Sequence, residues 1–287
     1  MSDVVYLNGE FIAAADARVS VFDRGFLFAD STYEVIPFYN GVGFRLEQHL
    51  QRLHEGLKAI RIELDIDLAP LCQQLIEMNG GGHQAVYLQV TRGTDVRRRH
   101  AISASLKPTV LLISYPIEVA LVGDLDDIPG ISVITTEDIR WRRCDIKTTA
   151  LLANIIALQA ALEEGAQEAL FVADGYLTEG ATSNLYVIKQ GVILTPVQDS
   201  HILGGTTRSL ILELARANEV PISEQPIPEG VLTDADEVWI SSSTRGVLPV
   251  LKVNGITVGD GKPGPLWNKI AKLYQLFEQD VFQGKQP

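Results

Sequence analysis

The chain has 287 residues and a formal net charge of −12, with acidic residues spread along its length. This length suffices for one large domain or two smaller ones with a hydrophobic core. The negative charge argues against a general binder of nucleic acid or anionic membranes and favours a soluble cytoplasmic protein. Cys72 and Cys144 fit no metal-binding spacing and are expected to be reduced thiols. Residues 1–10 lack the basic start and apolar run of an export signal, and no uncharged segment is long enough to cross a bilayer.

The first 120 residues predict two hairpins, two helices and two further strands. Asn-Gly pairs at 8–9 and 40–41 are typical of hairpin turns. Apolar residues at helical spacing predict a helix over 46–60, with the stripe Leu46, Leu50, Leu53, Leu57 and Ile60. The remaining predicted elements are a helix over 70–78 and strands over 85–94 and 109–117.

The periodic pattern lapses over 118–129, where acids and a proline gather, and this predicts a boundary between domains 1–120 and 121–287. The second half predicts, in chain order, a strand over 131–139, a helix after residue 147, a strand meander over 168–197, a helix over 206–218, a strand over 236–243, a hairpin turning at 254–255 and a helix over 266–281. Most strands follow one another through short turns. The predicted class is therefore α+β with mostly antiparallel strands.

Lys147 precedes a segment, 148–162, that carries no charged side chain. The spacing of its apolar residues predicts a buried helix with Lys147 in its first turn, along the stripe Leu151, Ile155, Leu158 and Leu162. The positive end of a helix dipole disfavours a cation, which would suit a lysine that acts as a nucleophile. A lysine that extends to water is the common alternative.

Three segments carry groups suited to an anion. Two glycines precede Thr206 and Thr207, which predicts a helix whose first amides bind a phosphate, although threonine caps of an ordinary helix would give the same pattern. Hydroxyl residues cluster at the end of a predicted strand, over 240–246. Arg52 lies beside small residues on its helix, where an anion would find room, and a solvated arginine is the alternative.

Glu179 stands in a Thr-Glu-Gly sequence that predicts a turn between two strands, where a glutamate is usually exposed. The chain contains none of the dinucleotide-binding, P-loop, nucleophile-elbow or zinc-protease motifs. The chemistry-bearing features are therefore a lysine before an apolar segment, three candidate anion-binding segments and one acid.

In combination, these features resemble the fold-type IV pyridoxal-phosphate aminotransferases, the family of the D-amino-acid and branched-chain aminotransferases. The resemblance spans nearly the whole chain and is carried by DRGFLFADSTYEVI (23–36), EQHLQRL (47–53), RWRRCDIKTTALLAN (140–154), EALFVADGYLTEGATSNLYVIKQGVILTP (168–196) and ILGGTTR (202–208). It implies a two-domain α+β fold with a small N-terminal α/β domain and a larger C-terminal cofactor-binding domain that contains an antiparallel-rich sheet or barrel. The phrases RWRRCDIK and YEVIPFY are most similar to the D-amino-acid aminotransferases.

The resemblance also implies roles for individual residues. Lys147 would form the Schiff base with the aldehyde of pyridoxal 5′-phosphate, and its released amine would carry a proton between substrate and cofactor. Glu179 matches the carboxylate that pairs with the pyridine nitrogen and makes the ring an electron sink. Leu203 matches a residue packed against the cofactor ring. The matches to the phosphate-binding group are Arg52, Thr206, Thr207 and Ser243.

For the substrate carboxylate, the resemblance implies a tyrosine and an Arg-x-His pair on a loop from the partner subunit. Tyr33 matches the tyrosine, whereas the loop sequence RGTDVRRRHAIS departs from the family's proline-containing pattern. Arg98 and His100 keep the Arg-x-His spacing and are the preferred pair. A gapless alignment selects Arg97 and Arg99 instead. A solvated basic loop is the alternative, and the net charge makes a nucleic-acid contact improbable.

The function implied is transfer of the amino group of a D-amino acid, such as D-alanine, to a 2-oxo acid such as pyruvate or 2-oxoglutarate, by a ping-pong mechanism. A homodimer is expected, with the active site between the two domains and completed by the second subunit. The alternatives are branched-chain L-amino-acid or (R)-amine specificity, the lyase reaction that releases pyruvate from aminodeoxychorismate, and cofactor binding without turnover. Intact Lys147 and Glu179 argue against the last of these.

Overall fold

The computed structural model describes residues 3–104, 106–118, 125 and 128–284. The chain divides into two compact units. The first contains the described residues up to 118 together with 146–150 and 280–284, and the second contains the other described residues. The predicted domain boundary at residue 120 falls within 119–124, outside the described residues.

The first unit contains a six-stranded sheet and three helices. The strands are β1 (Val4–Leu7), β2 (Glu10–Ala13), β3 (Ser31–Tyr39), β4 (Val42–Gly43), β5 (Gln84–Thr91) and β6 (Thr109–Pro116), in the order β2-β1-β6-β5-β3-β4. All neighbouring strands pair antiparallel. The helices are α1 (Arg24–Phe28), α2 (Leu46–Ala59) and α3 (Leu68–Met78), and a 3-10 turn covers Ala14–Asp16.

The core of this unit lies between one face of the sheet and helices α2 and α3. Alternate strand residues such as Val86, Leu88 and Leu112 are fully buried there with Leu53 and Leu57 of α2. The opposite face of β3 and β5 therefore carries the intervening residues. Both predicted Asn-Gly hairpin turns are confirmed, and all four turn residues have positive φ, as type I′ turns require.

The second unit contains a ten-stranded sheet and the remaining helices. Its strands are β7 (Ile131–Glu137), β8 (Glu168–Ala173), β9 (Tyr176–Gly180), β10 (Asn184–Lys189), β11 (Val192–Thr195), β12 (Ile222–Glu224), β13 (Ile227–Pro228), β14 (Glu237–Ser242), β15 (Gly246–Val253) and β16 (Ile256–Thr257). The order is β12-β11-β10-β14-β15-β7-β8-β9-β13, with β16 paired to β15. The helices are α4 (Leu152–Glu163), α5 (Thr206–Ala217) and α6 (Pro265–Phe282), and a 3-10 helix covers Glu229–Asp234. The last residues of α6, from Asp280, belong to the first unit. The predicted antiparallel character is confirmed except at the parallel pairs β7–β8, β7–β15 and β11–β12.

The segment around Lys147 differs from its prediction. Helix α4 begins at Leu152, so Lys147 lies five residues before the helix rather than in its first turn. Residues 146–150 instead run along β3, where the amide of Tyr33 donates to the carbonyl of Lys147 at 3.0 Å. The β-branched Thr148 that follows favours extended backbone. The dipole argument for Lys147 therefore fails, because that effect decays within the first turn.

The predicted burial of the apolar stripe is wrong for Ile155 and Leu162, whereas Leu158 packs partly buried against the core cluster. Ala157 and Ala161 are the side chains of α4 that are buried, against a cluster that includes Phe171 of β8. Small side chains let the helix approach the sheet closely, which turns the larger apolar residues outward. Four of these are 52–71% exposed, namely Leu152, Ile155, Ile156 and Leu162. Among the described residues, no helix combines the length and apolar character needed to cross a membrane.

Candidate active site

Lys147 and Tyr33 lie side by side in the first unit. The Nζ atom of Lys147 is 3.4 Å from the hydroxyl of Tyr33 and 4.4 Å from the centre of its ring. Both side chains are partly buried. The amine forms no ion pair with any described residue, and the tyrosine hydroxyl is its hydrogen-bond acceptor. An amine without a carboxylate partner is suited to act as a nucleophile rather than as half of a salt bridge.

The segment that carries Lys147 is held against β3 by the two residues that follow Lys147. The hydroxyls of Ser31 and Thr149 are 2.5 Å apart, and Thr148 forms an isolated β-bridge with Thr32. A Cβ atom at Gly56 of α2 would lie 3.1 Å from the side chain of Thr32. Gly56, one of the small residues on the same helix as Arg52, therefore lets α2 approach β3, the strand that positions Lys147.

Arg52 is bound to a buried carboxylate that the sequence analysis missed. Its Nε and Nη2 atoms donate to the two oxygens of Glu34, each at 2.7 Å, in a bidentate pair. Nδ1 of His49 lies 2.7 Å from the same carboxylate. Glu34 and His49 are fully buried. Glu34 lies on the α2 face of β3, and this buried glutamate in an apolar alternation was the available signal.

In the second unit, Glu179 lies within β9 and is 5% exposed, so its predicted place in an exposed turn is wrong. Its Oε1 accepts from Nη1 of Arg140 at 2.5 Å. Its Oε2 accepts from the amide of Leu203 at 3.0 Å and from the side chain of Asn184 at 3.1 Å. Asn184 also donates to the carbonyl of Leu203 at 2.9 Å, which fixes the glutamate and Leu203 relative to each other.

Arg140 and Asp138 complete this charged group and were not predicted as site residues. The Nη2 atom of Arg140 bonds Asp138 at 2.7 Å, and its guanidinium lies 4.3 Å from the centre of the Phe171 ring. Burial alone would raise the pKa of Asp138, but its hydrogen bonds from Arg140 hold it below the usual value. Burial alone would lower the pKa of Arg140, but its hydrogen bonds to Asp138 and the charges of Glu179 and Asp138 raise it. With Glu179, the group carries two carboxylates and one guanidinium, which suits a protonated nitrogen.

The start of α5 forms a separate polar site in the second unit. Gly205 is the N-cap residue and contributes no side-chain cap, so the predicted alternative of threonine capping does not apply. The hydroxyl of Thr206 is 3.3 Å from that of Ser243, which brings two predicted phosphate-binding segments together. The hydroxyl of Thr207 is buried and has no hydrogen-bond partner among the described residues. Such a helix start is suited to a phosphate.

The basic side chains of the loop over residues 94–103 have two separate sets of neighbours. The guanidinium of Arg98 lies 4.9 Å from the centre of the Phe28 ring, and the ring of His100 is 5.4 Å from it. Arg99 instead pairs with Asp95 at 3.1 Å and contacts Ser103. Arg98 and His100 thus share one aromatic neighbour, whereas Arg99 is engaged elsewhere. Of the gapless alternative, Arg99 is therefore already paired with a carboxylate of its own loop.

Solved structures define the class of fold. A branched-chain amino acid aminotransferase from Escherichia coli is similar with a TM-score of 0.88 and 27% identity, over 100% of this chain and 97% of that chain. A branched-chain aminotransferase from Thermoproteus uzoniensis, solved with norvaline, has a TM-score of 0.85 and 23% identity, over 100% of this chain and 97% of that chain. The fold is that of the fold-type IV aminotransferases.

The family follows from the sequence. The family model described as "Amino-transferase class IV" matches residues 31–253. A D-alanine aminotransferase of Bacillus licheniformis is 39% identical over 94% of this chain and 95% of its own length. One from Listeria monocytogenes serotype 4b is 37% identical over 97% and 96%, and one from Staphylococcus haemolyticus is 36% identical over 95% and 97%. The chain belongs to the class IV aminotransferases, enzymes that depend on pyridoxal 5′-phosphate.

The residues present fit this cofactor. The partnerless buried hydroxyl of Thr207 lies at a helix start without a side-chain cap, as a phosphate site requires. The excess negative charge of the Glu179 group suits a protonated pyridine nitrogen. The amine of Lys147, which pairs with no described carboxylate, suits an aldehyde. Each of the three chemical groups of the cofactor therefore has a matching group on the chain.

Proposed function

We propose that this enzyme transfers the amino group of a D-amino acid, such as D-alanine, to a 2-oxo acid by a ping-pong mechanism. The observation that carries the choice of donor is the 36–39% identity to proteins named D-alanine aminotransferase, over 94–97% of the chain. The orientation of Arg98 and His100 toward Phe28 supports it, because a guanidinium and an imidazole on one side of a loop are suited to a substrate carboxylate.

In this proposal, Lys147 anchors the cofactor and moves the substrate proton. Bound pyridoxal phosphate supplies an aldehyde and a ring that accepts electron density. The amine of Lys147 would bind this aldehyde and would accept the proton from the substrate Cα. Glu179, held by Arg140 and Asn184, keeps a proton on the pyridine nitrogen. Leu203, fixed by Glu179 and Asn184, would pack against the ring.

The proposed phosphate-binding groups are the start of α5 and Arg52. The first amides of the helix and the hydroxyls of Thr206, Thr207 and Ser243 donate to the phosphate. Arg52 contributes a guanidinium whose plane is fixed by its bidentate pair with Glu34. The carboxylate of the substrate is assigned to Tyr33 of one subunit and to the Arg98–His100 loop of another.

A homodimer is part of the proposal. The exposed apolar side of α4, from Leu152 to Leu162, supports it, because an apolar patch of this kind commonly marks an interface. A cytoplasmic location is proposed from the net charge of −12 and from the two free cysteines.

The visible absorption spectrum of the purified enzyme tests the function. We expect D-alanine, and not L-leucine, to bleach the band of the bound cofactor, and pyruvate to restore it. Lys147→Ala should abolish transamination while phosphate contacts retain some cofactor. The exposed Lys58→Ala, on α2, is the matched control and should behave as the parent enzyme. Full turnover by Lys147→Ala would refute the assigned role of the lysine.

Branched-chain L-amino-acid specificity is the second candidate, favoured by the fold match to the Escherichia coli branched-chain enzyme. Bleaching by L-leucine and not by D-alanine would establish it and overturn the D-amino-acid proposal. Release of pyruvate from aminodeoxychorismate without any oxo-acid acceptor would identify the lyase reaction instead.

A further inference from the structure

Arg24 is a buried arginine at the start of α1, next to the loop of residues 94–103 that carries Arg98 and His100. Its side chain is 6% exposed. The backbone around it is anchored: Asp23 accepts hydrogen bonds from the amide of Gly25 at 2.8 Å and from the hydroxyl of Thr109 at 2.6 Å. The amide of Arg24 donates to the carbonyl of Gly93 at 2.9 Å. The start of α1 is therefore a fixed base beside the loop.

The guanidinium of Arg24 joins this base to the loop backbone. Nη1 donates to the carbonyl of Arg99 at 2.7 Å and Nη2 to the carbonyl of His100 at 3.3 Å. Nε donates to Asp30 at 2.8 Å. Asp30 is itself held by a bidentate pair with Arg92, at 2.7 and 2.9 Å. The planar arginine fork thus fixes two consecutive carbonyls of the loop from a rigid support.

Other hydrogen bonds of this part of the loop are local. Asp95 accepts from Arg99 and, at 2.7 Å, from the hydroxyl of Ser103. Among the described residues of 96–103, the hydrogen bonds to the rest of the first unit are those from Arg24. A further contact is with Phe28, one helical turn after Arg24. The Phe28 ring neighbours Arg98 and His100, and the guanidinium of Arg24 lies 5.0 Å from its centre. Helix α1 therefore supplies both the hydrogen bonds and the aromatic surface that orient the loop.

We propose that Arg24, held by Asp30, is a positioning residue for substrate binding, which fixes the carbonyls of Arg99 and His100 so that Arg98 and His100 project together. This inference rests on the proposed role of Arg98 and His100 in binding the substrate carboxylate. Arg24 contacts the loop backbone and not the substrate, so its removal should weaken substrate binding with little change in the chemical step.

The test is Arg24→Lys in the holoenzyme, because lysine keeps the charge but cannot bond both carbonyls and Asp30 at once. Loss of one buried hydrogen bond should raise the KM for D-alanine about tenfold and leave kcat within about threefold. The cofactor spectrum should be unchanged, and the Tm should fall by about 2–4 °C. Arg18→Lys is the matched control, since Arg18 is exposed and bonds two carbonyls of its own segment.

A double-mutant cycle with Arg98→Ala separates positioning from a general structural effect. Once Arg98 is removed, Arg24→Lys should raise the KM by no more than about twofold, because coupled residues are not additive. An undiminished tenfold effect of Arg24→Lys in that background would overturn the inference. An unchanged KM in Arg98→Ala alone would instead overturn the proposed role of the loop. If Arg24→Lys does not fold, Phe28→Leu should raise the KM about threefold, and no change there would count against the inference.

Discussion

Among single residues, Glu34 shows most clearly how a buried charge is maintained. Burial by itself raises the pKa of this carboxyl, but the charge and hydrogen bonds of Arg52 and His49 lower it to about 2 from its usual 4.5. Burial also lowers the pKa of His49 and so favours its neutral form, against the opposing charge of Glu34. The group at Arg52 is therefore a buried carboxylate held between a guanidinium and a histidine.

The first residue-scale prediction concerns stability against pH. Because the pKa of Glu34 is lower in the folded state, its contribution is present above pH 4.5 and is lost as the pH falls through about 2. We expect Glu34→Gln to lower the free energy of unfolding in urea by about 3 kcal/mol at pH 7. The difference from the parent should shrink between pH 4.5 and 2, as protonated Glu34 comes to resemble glutamine.

Glu47→Gln is the control for this experiment, because Glu47 is exposed on the same helix. It should leave the free energy of unfolding nearly unchanged at each pH. A difference between Glu34→Gln and the parent that stayed constant down to pH 2 would mean that the ion pair with Arg52 does not set the protonation of Glu34.

These residues also show what sequence reasoning could reach. Lys147, Arg52 and Glu179 were singled out by their local sequence patterns, and the family resemblance of their segments implied their roles. The partners Glu34 and Arg140 had no selected role, because a buried charge is defined by a partner distant in sequence: 18 residues away for Arg52 and Glu34, and 39 for Arg140 and Glu179.

At the scale of elements, the position of the start of α5 depends on the absence of a side chain at Gly205. A Cβ atom at Gly205 would collide with Oδ1 of Asn184 and come within 3.3 Å of Arg208. Asn184 in turn bonds Glu179 and the carbonyl of Leu203. One glycine therefore couples the proposed phosphate site to the proposed pyridine partner.

We predict that Gly205→Ala weakens cofactor binding, because the displaced helix start and Asn184 would each lose hydrogen bonds. The dissociation constant for pyridoxal 5′-phosphate, measured by titration of the apoenzyme, should rise roughly tenfold. Gly230→Ala is the matched control, since a Cβ there meets no atom within 4 Å. If the two variants bound pyridoxal 5′-phosphate with equal affinity, the close packing at Gly205 would not be required for cofactor binding.

The helix after Lys147 illustrates the limit of periodicity. The pattern correctly predicted a helix but not its start or its buried side. An apolar helix of this kind has candidate core residues on every side, so spacing cannot identify the face in contact with the sheet. The structure places the alanines and part of Leu158 against the core and leaves four larger apolar residues exposed, namely Leu152, Ile155, Ile156 and Leu162.

At the scale of the whole molecule, the proposal of a shared site in a homodimer can be tested by complementation. In a mixture of Lys147→Ala and Arg98→Ala chains, each hybrid dimer would have one site with both side chains intact. Random exchange makes half of the dimers hybrid, so about a quarter of the parent activity should return. The assay is run with D-alanine well below the KM, where Arg98→Ala alone is weakest, and Lys147→Ala alone is inactive at any concentration.

Activity equal to the average of the two separate variants would show that each site takes Lys147 and Arg98 from one chain. Light scattering on the same samples gives the required control, because hybrid dimers can form only if the chain is dimeric. A monomer of unimpaired activity would contradict the homodimer proposal.

The sequence by itself determined the hairpins at Asn-Gly turns, the amphipathic helix over 46–60, the mostly antiparallel strands and the class IV aminotransferase family, because turn chemistry and periodicity act locally and the family pattern spans the chain. Tertiary structure alone decided that Lys147 lies in an extended segment along β3, that Glu179 is buried in a strand, and that Arg24 holds the loop with Arg98 and His100. The physical reason is that burial and ion pairing depend on which distant residues meet, and local propensity carries no information about that choice.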